Sequence, residues 1–100
     1  MKNTFTWRNR TFYVTTITVE GGELRYISIE DKDVDADGKL TRQLNGFQMH
    51  MASTKELCIE HTKHEVDYDY YKSLGMSKFE IYCNLFPDMD REKVALIASL

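Results

Sequence analysis

The chain has 100 residues, with 13 Lys and Arg, 16 Asp and Glu and three His, for a net charge of −3. Its hydrophobic share of 42% can build a core, which argues against global disorder, and one Pro with five Gly excludes a collagen-like or low-complexity polymer. No apolar run approaches the roughly 18 residues of a membrane span, and two Cys are too few for a disulfide scaffold, so free thiols and a cytoplasmic setting are expected.

Residues 1–8 lack a continuous apolar segment, so no secretory signal is expected. Phe5-Thr6-Trp7 reads as a short first strand that turns back through Arg8-Asn9-Arg10. Residues 11–20 (TFYVTTITVE) and 24–30 (LRYISIE) are rich in β-branched and aromatic side chains, which suit a pleated surface. Gly21-Gly22 between them suits a two-residue type I′ turn. That turn sets Val19 opposite Leu24, Ile17 opposite Tyr26 and Glu20 opposite Glu23. A second hairpin is expected over residues 39–51, with Asn45-Gly46 at its tip. One face of it carries Leu40, Arg42, Leu44, Phe47, Met49 and Met51, and the polar face carries Thr41, Gln43, Gln48 and His50. Five strands in an antiparallel meander result.

The period changes after Met51. Ser53 and Thr54 can each cap a helix, and Ser53 with Glu56 forms a candidate capping box, while Ile59, Thr62, Val66 and Tyr70 keep helical spacing up to Gly75. Ser77 with Glu80 is a second capping box, followed by Phe79, Tyr82, Cys83 and Phe86 at i, i+3, i+4 and i+7. Pro87 ends that helix. Asp88 or Asp90 can cap a last one, with Val94, Ile97 and Ala98 facing inward. Strands first and helices second predict a single α+β domain over residues 1–100, with two or three C-terminal helices packed on one face of the N-terminal sheet.

Residues 33–40, Asp33-Val34-Asp35-Ala36-Asp37-Gly38-Lys39-Leu40, resemble the opening of an EF-hand calcium loop. The resemblance covers eight residues and implies a weak calcium site on Asp33, Asp35 and Asp37. The twelfth position holds Leu44 where that family supplies a Glu. The other reading is a solvated acidic turn. His50, Cys58, His61, His64 and Cys83 lack the two tight ligand pairs of a structural zinc site. No Gly-rich phosphate loop or nucleophile elbow occurs, so neither an enzyme nor a cofactor is expected.

Arg8 and Arg10 place two guanidinium groups at a hairpin tip, the feature that favours a regulatory nucleic-acid-binding domain. The acidic balance and the lack of a basic stripe on the helices oppose it. Residues 66–71 (VDYDYY) carry three Tyr and two Asp within one helical stretch, and exposed aromatics among acids suit a protein interface. The leading expectation is therefore a non-enzymatic module that masks a partner's basic surface, as inhibitor or adaptor, through Asp67, Tyr68, Asp69 and Tyr71 and then Glu56 and Glu60. In size and charge alone the chain is similar to small phage-encoded inhibitors of host defence or transcription. The polar sheet face and the edge strand near Phe5 leave pairing with another copy open.

Overall fold

A computed structural model describes residues 3–44 and 50–100 of the chain. Its architecture is α+β, with four antiparallel strands followed by three helices. The strands are β1 (Thr4–Trp7), β2 (Arg10–Thr18), β3 (Leu24–Glu30) and β4 (His50–Ala52), hydrogen-bonded in sequence order. The helices are α1 (Lys55–Ser73), α2 (Lys78–Leu85) and α3 (Arg91–Ala98). Two compact units divide the chain, Met1–Lys63 and His64–Leu100. No helix among the described residues is long and apolar enough to cross a membrane.

The first hairpin turns as its sequence predicts. Trp7 pairs with Arg10, and Arg8 and Asn9 both take positive φ (48° and 65°), the backbone of a two-residue type I′ loop. The second hairpin does not. Thr18 pairs with Leu24 and Ile17 with Arg25, one residue out of the expected register. The loop has three residues, Glu20, Gly21 and Gly22. The Val19 N–H donates to Glu23 O at 2.9 Å, and the Gly22 N–H donates to Val19 O at 3.0 Å. A shift of one residue reverses which face each side chain takes, and here it gives the sheet apolar groups on both sides. Phe12 and Val14 lie on one face with Ser28, while Tyr13, Ile27 and Ile29 lie on the other.

Each face of the first unit's sheet has its own cover. Ser28 and Thr62 of α1 are fully buried and their hydroxyls meet at 2.6 Å. The Thr62 hydroxyl donates to Cys58 O at 2.7 Å, so Ser28 is the donor between the two. Cys58, buried beside them, directs its thiol at His50 O. On the opposite face Val34 joins Ile27 and Ile29 in a cluster flanked by Tyr13, Ile17 and Leu44.

The segment after β3 serves that second cover, and the expected strand over residues 39–44 is absent. Val34 and Leu40 form one isolated bridge, and the Thr41 N–H returns to Asp33 O at 2.9 Å. Residues 40–44 therefore fold back on residues 33–35 and do not join the sheet, which has four strands among the described residues where five are expected. The Asn45-Gly46 turn lies outside the described residues. At the end of that expected hairpin His50 is half-buried and edge-on to Phe12 while Met51 is half exposed, the reverse of the expectation for these two residues.

Local signals fix the helix ends. Of the two expected caps, Thr54 serves α1, its hydroxyl accepting from the Leu57 N–H at 3.1 Å. The helix then runs unbroken for 19 residues. It closes in a Schellman motif, with the Met76 N–H on Tyr71 O, the Gly75 N–H on Lys72 O, and Gly75 at φ 83°. The Ser77–Glu80 capping box forms in both directions, at 3.2 and 3.1 Å. The Ser77 N–H on its oxygen first, and then the Ser77 hydroxyl, hold the Glu80 carboxyl below its usual range. Asp90 caps α3 by accepting from the Glu92 N–H at 2.8 Å. In the second unit Val66, Ile81 and Val94 are the buried apolar side chains. Of the residues expected to face inward on α1 and α3, Thr62, Val66 and Val94 are buried, Ile59 and Ala98 are half-buried, and Tyr70 and Ile97 are exposed.

Candidate partner-binding site

The second half of α1 and the whole of α2 form a groove of about 270 Å³, lined by His64, Glu65, Tyr68, Tyr82, Leu85 and Phe86. Helical spacing produces it. His64 and Tyr68 are four apart on α1, and Tyr82 and Phe86 are four apart on α2, so each pair stands on one face of its helix. The rings interlock across the two helices. Tyr68 lies 5.8 Å from Tyr82 at 47°, Tyr82 stacks 6.3 Å from Phe86 at 23°, and His64 meets Phe86 edge-on at 5.2 Å. These separations fall within the range of favourable aromatic pairs.

Carboxylates border the groove. Glu65 is one of its walls and is exposed. Asp67 follows His64 by three residues and Asp69 follows Glu65 by four, which sets the two acids on either side of the groove-facing stripe of α1. Residues 64–100 hold seven acids and four bases, whereas residues 1–63 hold nine of each. The net charge of the chain thus resides in the unit that carries the groove.

The structure distributes the anticipated residues unevenly. Tyr68 is a wall of the groove. Tyr71 is half-buried, with its ring 5.7 Å from that of Tyr70. Tyr70, expected to follow Val66 inward, is 43% exposed and is the outward tyrosine of the three. Glu56 and Glu60 are exposed one turn apart on the first half of α1, in the other unit. The groove residues His64, Leu85, Tyr82 and Phe86 were not anticipated as a site. The Tyr82–Phe86 spacing is visible in the sequence as part of the α2 stripe, but spacing alone does not show that the stripe lines a groove.

At the first hairpin, Arg8 is exposed in the turn, while Arg10 binds Glu30 at 2.5 Å and lies 5.3 Å above the Phe12 ring. The two guanidinium groups therefore differ in setting, and Arg10 serves the sheet. Trp7, on the same hairpin, carries the Lys63 ammonium 4.6 Å from its ring centre.

In the acidic loop, Asp33 is buried and receives both Arg42 Nε (2.8 Å) and a terminal guanidinium nitrogen (3.1 Å). Asp35 Oδ1 accepts the Asp37 and Lys39 N–H groups, both at 2.9 Å. Two of the three carboxylates thus hold the loop's own fold, and no cluster of three or more metal-ligating side chains occurs among the described residues. The Arg42 hydrogen bond holds the Asp33 carboxyl below its usual range and raises Arg42 in turn. Burial pushes the Cys58 thiol up, which leaves it a poor nucleophile.

No protein-family model matches the chain, and no curated protein or solved structure is detectably similar to it.

Proposed function

We propose that this protein is a non-enzymatic binding module that masks a basic surface of a protein partner, as an inhibitor or adaptor in the cytoplasm. The observation that carries this reading is the aromatic groove between α1 and α2, bordered by carboxylates in a unit of net negative charge. Large, stiff aromatic side chains bury much area at low entropic cost, and acids around them select a basic counterpart and speed its approach. Asp67, Tyr68, Asp69 and Tyr71 remain the first residues to test, with Glu56 and Glu60 second.

The test is affinity capture by the tagged full chain from its native lysate, with and without nuclease. The expected result is one stoichiometric protein that survives nuclease and is lost from Asp67→Lys/Asp69→Lys. A captured protein indifferent to that charge reversal would overturn the reading. Recovery of nucleic acid alone, abolished by Arg8→Glu/Arg10→Glu, would replace it with the hairpin-based one.

A further inference from the structure

We infer that the outer edge of β1 pairs with β1 of a second copy of this chain, antiparallel about a two-fold axis at Phe5, so that the two sheets become one. Such pairing lies in the first unit and is independent of the masking surface. The sheet runs β1-β2-β3-β4, which leaves β1 a strand neighbour on one side only among the described residues. The Val14 N–H donates to Asn3 O at 2.8 Å, so Asn3 and Val14 are a hydrogen-bonded pair of the ladder. Antiparallel ladders alternate such pairs with non-hydrogen-bonded ones. Phe5 with Phe12 and Trp7 with Arg10 are therefore hydrogen-bonded pairs, whereas Thr4 with Tyr13 and Thr6 with Thr11 are not. The Thr6 and Thr11 hydroxyls meet at 2.9 Å, as expected where side chains approach most closely. The backbone N–H and C=O groups of Thr4 and Thr6 thus point away from β2, and both residues are exposed.

The spacing of those outward groups selects the occupant. A second β1, run antiparallel with Phe5 opposite Phe5, sets Thr4 opposite Thr6 and Thr6 opposite Thr4. Each of these pairs exchanges N–H···O bonds in both directions, so every outward backbone group of Thr4 and Thr6 finds its partner in the copy. Phe5 opposite Phe5 is then a non-hydrogen-bonded pair, with Cα atoms about 4.5 Å apart and side chains in contact. Phe5 stacks on Phe12 at 5.5 Å and 20° and is still only half-buried. The copy's Phe5 covers more of it and carries the aromatic row across the axis. A two-fold axis also sets like charge beside like charge, and β1 (TFTW) has none to repel itself. Nor does β1 hold the Lys, the Pro or the bulge that commonly guards an edge strand. A contact built on one short strand is small, so a weak dimer with Kd on the order of 100 µM is expected.

The experiment is analytical ultracentrifugation of the full chain at low salt, from about 10 µM to about 1 mM, a range that brackets this Kd. The register makes an asymmetric demand on two variants. Thr4→Lys/Thr6→Lys sets lysine opposite lysine at both threonine pairs and should disrupt the dimer. Thr4→Lys/Thr6→Glu sets lysine opposite glutamate at both and should retain it. Their Kd values should differ by about tenfold or more at low salt, since opposite charges across a strand pair stabilise it and like charges oppose it. Added salt should narrow the difference. Both positions are exposed, so both variants should keep the circular dichroism of the unaltered chain. In a mixture of isotope-labelled and unlabelled unaltered chain, an inter-chain NOE between the two Phe5 Hα protons is expected.

A chain that stays monomeric at about 1 mM would overturn the inference. Equal dimerisation of the two variants would do the same by placing the contact elsewhere. A dimer of the unaltered chain without the Phe5–Phe5 NOE would exclude this register, however the variants behave.

Discussion

At the scale of single residues, the segment after β3 shows how one position can hold a cover in place. Gly38 has φ 81°, and a Cβ built there would lie 2.6 Å from the Tyr13 hydroxyl oxygen and 2.9 Å from its ring carbon. Gly21 has a similar φ of 89° but open space around it. Gly21→Ala should therefore cost only the backbone term, about 1–2 kcal/mol, whereas Gly38→Ala should cost clearly more. Chemical denaturation of the two variants side by side checks this, and equal losses would remove Tyr13 from the account. Asp33 supplies a pH test. Its folded-state carboxyl titrates below the usual range because Arg42 donates to it. Its stabilising contribution is then complete above about pH 4, the unfolded value, and is lost as pH falls from there through the folded value. Asp33→Asn should flatten the fall in Tm between about pH 4 and pH 2, measured by thermal melts across that range. An acid limb identical to that of the unaltered protein would show that the Arg42 pair contributes nothing to it.

At the scale of elements, legibility follows whether a signal is local. The Ser77–Glu80 box, the Asp90 cap and the stop before Pro87 involve neighbours in sequence, and all three stand as the residues predict. The β2–β3 register was not legible, because Gly21-Gly22 fits a two-residue loop as well as it fits the three-residue loop observed. What decides is remote: Thr62 receives Ser28 on one face, and Val34 meets Ile27 and Ile29 on the other. The expected strand at residues 39–44 failed for a related reason. Alternation of Leu40, Arg42 and Leu44 looks like a strand, but Arg42 is drawn to Asp33 and Leu44 to the cluster around Val34. The groove was half legible, since Tyr68 and the Tyr82–Phe86 pair were noticed, yet nothing in one sequence tells that helices 64–73 and 78–85 bring them together. Because the Ser28–Thr62 pair ties α1 to β3, Thr62→Val should destabilise by about 1–3 kcal/mol by leaving a buried hydroxyl without its acceptor. Ser28→Ala/Thr62→Val should recover part of that loss in denaturant titrations, and a strictly additive double variant would contradict the pairing.

For the whole molecule, charge is sorted along the chain. The N-terminal unit balances its acids and bases, and the C-terminal unit carries the surplus of acids. An excess of acids in the part that bears the aromatic groove would draw a basic surface toward it. Long-range attraction of that kind is screened over roughly 8–10 Å at moderate salt and acts mainly on the association rate. Once the partner is in hand, raising salt from about 0.05 to 0.5 M should slow association severalfold and change dissociation little, as read by stopped-flow mixing. A salt effect confined to dissociation would place the charges inside the contact, not around it.

The Lys63 ammonium over Trp7 also makes the molecule its own optical instrument. Trp7 is the single tryptophan and sits in the unit of residues 1–63, whereas four of the six tyrosines, at 68, 70, 71 and 82, belong to residues 64–100. Indole emission excited near 295 nm would follow the first unit, with separation of Lys63 from the ring as one of the changes it senses. Tyrosine absorbance would be weighted toward the second. Superimposable thermal traces at the two wavelengths would mark the units as one cooperative folding block. Displaced traces would mean that either unit can loosen while the other still glows as native.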